Sequence, residues 1–105
     1  MQKWITQGKP SSDFPTVHVV SDSVGATAQS VVRAAAAGFE IYDPAIEILP
    51  RVSSCAEMLT ELEAHLEMHR STGRTPVVLF HTLVSPRLRT CMAQFVAENS
   101  ADLIA

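Results

Sequence analysis

The chain has 105 residues, of which 47% are hydrophobic and 18% charged, and its formal net charge is -3 at pH 7. This length and balance fit one globular domain, and no Lys/Arg-rich block points to a nucleic-acid partner. No apolar run approaches the roughly 18 residues of a membrane span, and the first residues lack the apolar core of a signal peptide, so we expect a cytoplasmic protein with no membrane partner.

Residues 1–15 are predicted to form a flexible lead-in. Glycine, proline and serine residues interrupt this segment, and no hydrophobic periodicity extends across it. Trp4 and Ile5 either dock on the domain or stay loose. Residues 16–105 are then expected to form the domain itself.

A first strand–helix unit begins at the apolar run 17–20 and ends near Gly38. A short polar turn, 21–27, follows the run. Apolar residues then recur at helical spacing: Ala28, Val31, Val32, Ala35, Ala36 and Phe39. The pattern predicts a buried strand, a turn and an amphipathic helix.

The second unit consists of the run 45–49, which stops at Pro50, and a helix over about 54–70. The run alternates between apolar and polar residues, which is typical of a strand near a sheet edge. Ser54 and Glu57 have the spacing of a capping box at the start of the helix. The apolar face of that helix is predicted from Met58, Leu59, Leu62 and Leu66.

The third unit has the most apolar run, 76–83, which is typical of a central strand covered on both faces. Ser85 and Pro86 have the residue types of a helix start. The inner stripe of the helix is predicted from Leu88, Cys91, Met92, Phe95 and Val96. The apolar residues 103–105 resemble the start of a further element.

Three strand–helix units with short connections predict a small three-layer, Rossmann-like α/β domain. Its parallel sheet would have about three strands, in the order 2-1-3, with helices on its faces. Such a sheet leaves an open edge. We therefore expect either self-association as a homo-oligomer or cover from further chain.

Ligands of open α/β sheets bind outside the carboxyl ends of the strands, where the strand order reverses. This rule places the loops 21–27 and 81–89 opposite one another. Helix N-terminal amides and arginine side chains in these loops suit an oxyanion. The candidate residues are Ser21, Asp22, Ser23, Gly25, Thr27, Thr82, Arg87 and Arg89.

Helix capping explains the same polar residues without a ligand. Ser, Asp and Thr are common before helices, and Arg87 and Arg89 fit a solvated helix face equally well. Asp22 would repel an anion unless it binds a metal, takes a proton or pairs with an arginine. Both interpretations of the 21–27 loop stay open at this point.

The histidines give no clear site. His65 and His69 have the i, i+4 spacing of a metal-binding pair, but no third ligand is evident, so a solvated helix face is favoured and no metal site is expected. His18 and His81 are expected to be packed or hydrogen-bonded strand residues. No nucleophile–base set can be assembled, and the catalytic residues stay unknown.

Cys55 and Cys91 lie on different predicted helices. In a reducing compartment we expect both to be small core or half-buried residues, without a disulfide between them.

Residues 18–39 (HVVSDSVGATAQSVVRAAAAGF), 47–52 (EILPRV) and 75–89 (TPVVLFHTLVSPRLR) resemble the regulatory proteins of pyruvate, phosphate dikinase in bacteria and plants. Relatives of that family regulate phosphoenolpyruvate synthase. The resemblance covers about residues 17–105, and the SDSVGATA form is more similar to the dikinase branch.

The resemblance implies a bifunctional serine/threonine kinase. It would phosphorylate a threonine of the dikinase, with ADP as donor, and so inactivate it. It would also remove that phosphate by phosphorolysis with inorganic phosphate. ADP and phosphate would be substrates of the intact protein, and no cofactor is implied for this chain.

The family's nucleotide-binding loop, of the type Gly-x-Ser-x-x-Gly-Lys-Thr, lies beyond the first hundred or so residues, and this sequence has none. The resemblance therefore implies the N-terminal domain of a longer protein, without the P-loop kinase domain and inactive alone. The rival hypothesis is a stand-alone small α/β module that binds an anionic ligand or a protein partner.

Overall fold

The structure is a computed structural model that describes residues 4–10 and 14–105. Helices and strands alternate along most of these ranges, as the strand–helix units of the sequence predict. The elements are β1 (Ile5–Gln7), β2 (Val17–Ser21), α1 (Ala26–Ala37), β3 (Ile46–Leu49), α2 (Cys55–Ser71), β4 (Val77–Thr82), α3 (Pro86–Glu98) and β5 (Leu103–Ile104).

The strands form one sheet in the order β1-β3-β2-β4-β5. The three inner strands are parallel, with Val17 of β2 opposite both Ile46 and Val78. This confirms the predicted α/β class and the order 2-1-3. The sheet is larger than predicted, because β1 adds antiparallel to β3 and β5 adds parallel to β4. The run 45–49 is consequently not at an edge.

The lead-in contains a strand, which corrects the prediction of weak order for that part. Trp4, just before β1, is only 8% exposed. Gly8 follows β1 with a φ of 74°, and a Cβ at this position would overlap the carbonyl oxygen of Pro44. A three-residue strand is too short to show periodicity, which explains why the sequence did not indicate it. Residues 1–3 and 11–13 of the predicted lead-in lie outside the described ranges.

The sheet separates two apolar layers, because successive strand residues point to opposite faces. Helix α1 covers one face, where Ala28 and Val32 pack on β2 and β3. Helices α2 and α3 cover the other face and form the larger core with Trp4. The predicted stripe of α1 was too wide, since Val31 is 46% and Phe39 68% exposed.

Two helix starts are as predicted. Ser54 Oγ accepts a hydrogen bond from the Glu57 amide at 3.1 Å, and Ser85 Oγ accepts one from the Leu88 amide at 3.3 Å, with Pro86 as the first residue of α3. These caps satisfy amides that the helices themselves leave unpaired.

Cys55 and Cys91 form a disulfide, so the prediction of two separate thiols was wrong. The two residues are 36 positions apart in sequence, but their Cα atoms are 6.0 Å apart. They meet because α2 and α3 pack side by side on the same face of the sheet. Within the described ranges, no helix has the length and apolar character needed to cross a membrane.

Candidate functional site

The polar loops of the domain gather at the carboxyl edge of the sheet, where β2, β3 and β4 each lead into a helix. Ser21 ends β2 and is buried. Its Oγ accepts a hydrogen bond from the Ser23 amide at 3.0 Å, and its carbonyl accepts one from Val52 at 3.1 Å. The Ser23 carbonyl accepts another from Arg51 at 2.8 Å. These contacts fix the loop after β2 against the loop after β3.

Asp22 joins the loop after β2 to the loop after β4. Its Oδ2 accepts hydrogen bonds from the amides of Val84 at 2.8 Å and Ser85 at 2.9 Å. These two amides account for the Asp22 carboxylate without the metal, proton or arginine that an anion beside it would require. Because those amides are already paired, an anion between the two loops would have to compete with Asp22.

The N-terminus of α1 has no side-chain cap. Gly25 occupies the N-cap position with a φ of 78°, and none of the polar residues around it caps the helix. Capping of α1 by Ser, Asp or Thr side chains is therefore ruled out as the explanation of this loop. Thr27 lies exposed in the first turn of α1. The amides of this turn carry the partial positive charge of the helix end toward the carboxyl edge.

A cavity of about 180 Å³ lies between the N-termini of α2 and α3. Arg87 lines it, whereas Arg89 is exposed on α3 and does not. Thr82, half-buried at the end of β4, pairs in register with Ser21. The lining residues are Ser53, Ser54, Cys55, Ser85, Arg87 and Leu88.

The eight candidate residues thus do not converge on one cleft. Ser21, Asp22 and Ser23 hold loops together, Gly25 and Thr27 belong to the uncapped start of α1, and Arg87 faces a separate cavity. Sequence reasoning missed the serines at 53 and 54 as cavity residues, although the cap signal at Ser54 marked the place. Hydroxyl groups, helix N-termini and one guanidinium suit the binding of a small oxyanion.

The histidines of α2 are not on a solvated face, which corrects the sequence prediction. His65 and His69 are buried at the amino-terminal edge of the sheet, beside His18 and Glu47. The imidazoles of His18 and His65 hold the pKa of the Glu47 carboxyl well below its usual range, and burial lowers the pKa of His69. The i, i+4 spacing in HLEMH was the only signal of this cluster in the sequence.

A parallel-centred sheet with helix N-termini at its carboxyl edge defines an α/β domain of the kind that holds ligands at that edge. Within this class, the chain belongs to the kinase/pyrophosphorylase family, whose model matches residues 17–105. No solved structure is significantly similar to the chain.

Curated relatives of the chain are provisionally named pyruvate, phosphate dikinase regulatory proteins. The protein of Cutibacterium acnes is 37% identical over 78% of this chain, and that of Lactiplantibacillus plantarum is 37% identical over 75%. The protein of Halalkalibacterium halodurans is 31% identical over 86%. The matched part spans only 26% to 31% of the relatives' own length.

Proposed function

We propose that this chain acts as the N-terminal domain of a pyruvate, phosphate dikinase regulatory protein. The observation that carries the proposal is the family match over residues 17–105, together with relatives of that name which the chain matches over about a quarter to a third of their length. The intact protein would be a cytoplasmic serine/threonine kinase that uses ADP to inactivate the dikinase. It would reactivate the dikinase by phosphate-dependent removal of the phosphoryl group.

In this proposal the chain itself contributes binding rather than phosphoryl transfer. Its sequence has no Gly-Lys-Thr loop that could cradle nucleotide phosphates. The free amides at the start of α1, and Arg87 in the cavity between α2 and α3, offer contacts to an oxyanion or to the phosphorylated segment of the dikinase. The nucleotide would bind to the part of the protein that carries the P-loop.

A domain exchange tests the proposal. The segment of the Lactiplantibacillus plantarum relative that aligns with this chain is replaced by residues 17–105, and the unmodified relative serves as the control. We expect the chimera to inactivate dikinase with ADP and to reactivate it with inorganic phosphate. The 105-residue chain alone is expected to do neither.

Two results would contradict the proposal. A chimera that is folded and binds ADP as the control does, but modifies no dikinase, would favour the stand-alone binding module. ADP-dependent phosphorylation of dikinase by the 105-residue chain alone would overturn the assignment of transfer to the other part of the protein.

A further inference from the structure

Three histidines and one glutamate meet in the layer between the sheet and α2. His18 and Glu47 are register partners on β2 and β3, so their side chains emerge side by side on the same face. His65 and His69 are one helical turn apart on α2 and point to that face. Four potential ligands from three elements therefore converge on one point.

The converging atoms are close together, and their side chains are largely buried. Nε2 of His18, His65 and His69 lies 2.7, 3.2 and 4.0 Å from Oε2 of Glu47. One ligand atom from each of the four residues lies within 4.8 Å of every other. The three imidazole side chains are only 3% to 11% exposed.

Two of the imidazoles are oriented by backbone carbonyls. His18 Nδ1 lies 3.3 Å from the carbonyl of Val78, and His69 Nδ1 lies 3.3 Å from that of Arg74. A carbonyl oxygen only accepts, so each Nδ1 carries a hydrogen, and each ring directs Nε2 toward the cluster. This is the arrangement that commonly orients a metal-binding histidine.

His18 Nε2 is buried 2.7 Å from Glu47 Oε2 and has no other polar partner among the described residues. One divalent cation at the centre satisfies all four groups. His65, whose Nε2 now donates to Oε2, would then carry its proton on Nδ1.

We propose that His18, Glu47, His65 and His69 form a structural zinc site. Three imidazole nitrogens and one carboxylate oxygen are ligands that Zn²⁺ favours, and four protein ligands close a tetrahedral site. Bonds of about 2.0–2.1 Å separate tetrahedral ligands by roughly 3.3 Å, which lies within the range of the Glu47 distances. The ion would tie α2 to the two central strands.

A cavity of about 460 Å³ gives an ion a path to the cluster. It is lined by His18, Glu47 and His69 and also by Gly8 and Pro10, which are exposed. The site lies at the opposite edge of the sheet from the loops proposed for oxyanion contact, so it is independent of that function.

Trp4 reports on the site directly. It is the one tryptophan of the sequence, and its ring stacks on His65 with centroids 4.4 Å apart. The metal-free 105-residue chain is titrated with Zn²⁺ while Trp4 fluorescence is followed, and with Co²⁺ while its d–d absorption is recorded. We expect one equivalent to bind, a Co²⁺ spectrum typical of four-coordinate nitrogen and oxygen ligation, and a higher thermal midpoint with Zn²⁺.

Variants locate the site. His69→Gln and Glu47→Gln are expected to weaken Zn²⁺ binding by more than about tenfold, since even supporting residues of metal sites contribute that much. His81→Gln removes the remaining histidine of the sequence, which lies exposed on β4 outside the cluster, and is expected to bind as the unmodified chain does.

The unmodified chain decides the question even if a variant fails to fold. Absence of one-equivalent binding at micromolar Zn²⁺, or a six-coordinate Co²⁺ spectrum, would overturn the proposal. So would binding that His81→Gln abolishes and both cluster variants retain.

Discussion

Asp22 acts as a clamp at the carboxyl edge of the sheet, because a single oxygen accepts two backbone amides from a loop 62 and 63 residues away. Amides at a chain bend have few other partners once they are shielded from water. The side chain is half-buried, so solvent can replace these bonds only in part. The contacts of Asp22 therefore give it a structural role at this edge, whether or not a ligand binds there.

Replacing Asp22 by Ala should lower the free energy of unfolding by about 2 kcal/mol, since two amides lose a charged acceptor. Urea denaturation measures the change, and Asp43→Ala, at an exposed position, is the control. Equal midpoints for the two variants would show that the clamp contributes nothing to stability.

Arg87 and Arg89 lie on the same helix, α3, but only Arg87 lines the cavity beside α2. Arg89 is therefore a suitable control for a variant of Arg87. We expect inorganic phosphate to bind weakly at the carboxyl edge, with a Kd in the millimolar range, or about -4 kcal/mol. NMR amide shifts on titration should involve residues 25–28 and, since Pro86 has no amide, residues 85, 87 and 88. Arg87→Ala should reduce the shifts at 85, 87 and 88, and Arg89→Ala should not. Shifts scattered over the surface would contradict a built oxyanion site.

At the scale of elements, β1 depends on one glycine. Gly8 and Gly73 both have positive φ, but a Cβ at Gly73 would meet nothing within 4 Å, whereas one at Gly8 would overlap the backbone of Pro44. A side chain at either position would therefore strain the backbone, but only one at Gly8 would also overlap a neighbouring residue.

Gly73→Ala should cost about 1 kcal/mol through the left-handed backbone alone. Gly8→Ala should cost more and detach β1 from β3, which exposes Trp4 to water. A red shift of Trp4 emission in Gly8→Ala, and none in Gly73→Ala, is the expected result. Unchanged emission in both would mean that β1 does not hold Trp4 in the core.

The disulfide fastens the start of α2 to α3. Closing a loop of 36 residues restricts the unfolded chain and is worth about 4 kcal/mol in the chain-entropy model. Cytoplasmic thiols are kept reduced, so we expect the pair to be a dithiol in that compartment and to close on oxidation.

Dithiothreitol should lower the free energy of unfolding of the oxidised chain by about that amount. The double variant Cys55→Ala/Cys91→Ala should be insensitive to the reductant. An oxidised chain whose urea midpoint does not move with dithiothreitol would contradict the stabilising role.

At the scale of the molecule, the sequence predicted the three strand–helix units because hydrophobic periodicity is a local signal. The contacts that define the sites are not local. They join positions that are distant in sequence and that meet only because of strand order and register. The pairs are Asp22 with Val84, Cys55 with Cys91, and His18 with Glu47. Strand β1 was not predicted for another reason, because three residues are too few to show a hydrophobic periodicity.

The described surface retains exposed apolar side chains and a short edge strand. Ile104 on β5 is 55% exposed, and an unpaired edge strand can pair with a second copy. We expect the weight-average mass in sedimentation equilibrium to rise with concentration. Ile104→Lys should suppress the rise, and Val31→Lys, on the far face of α1, should not. A monomer at every concentration would contradict edge pairing.

The larger core joins both ends of the described chain, since Trp4 and Leu103 belong to the same apolar cluster. A ribosome adds about 5–20 residues per second. The interval between the synthesis of Trp4 and that of Leu103 is therefore about 5 to 20 s. During that interval the apolar cluster that buries the Trp4 indole is incomplete. Newly made chains should therefore expose Trp4 to chaperones until β5 has been made.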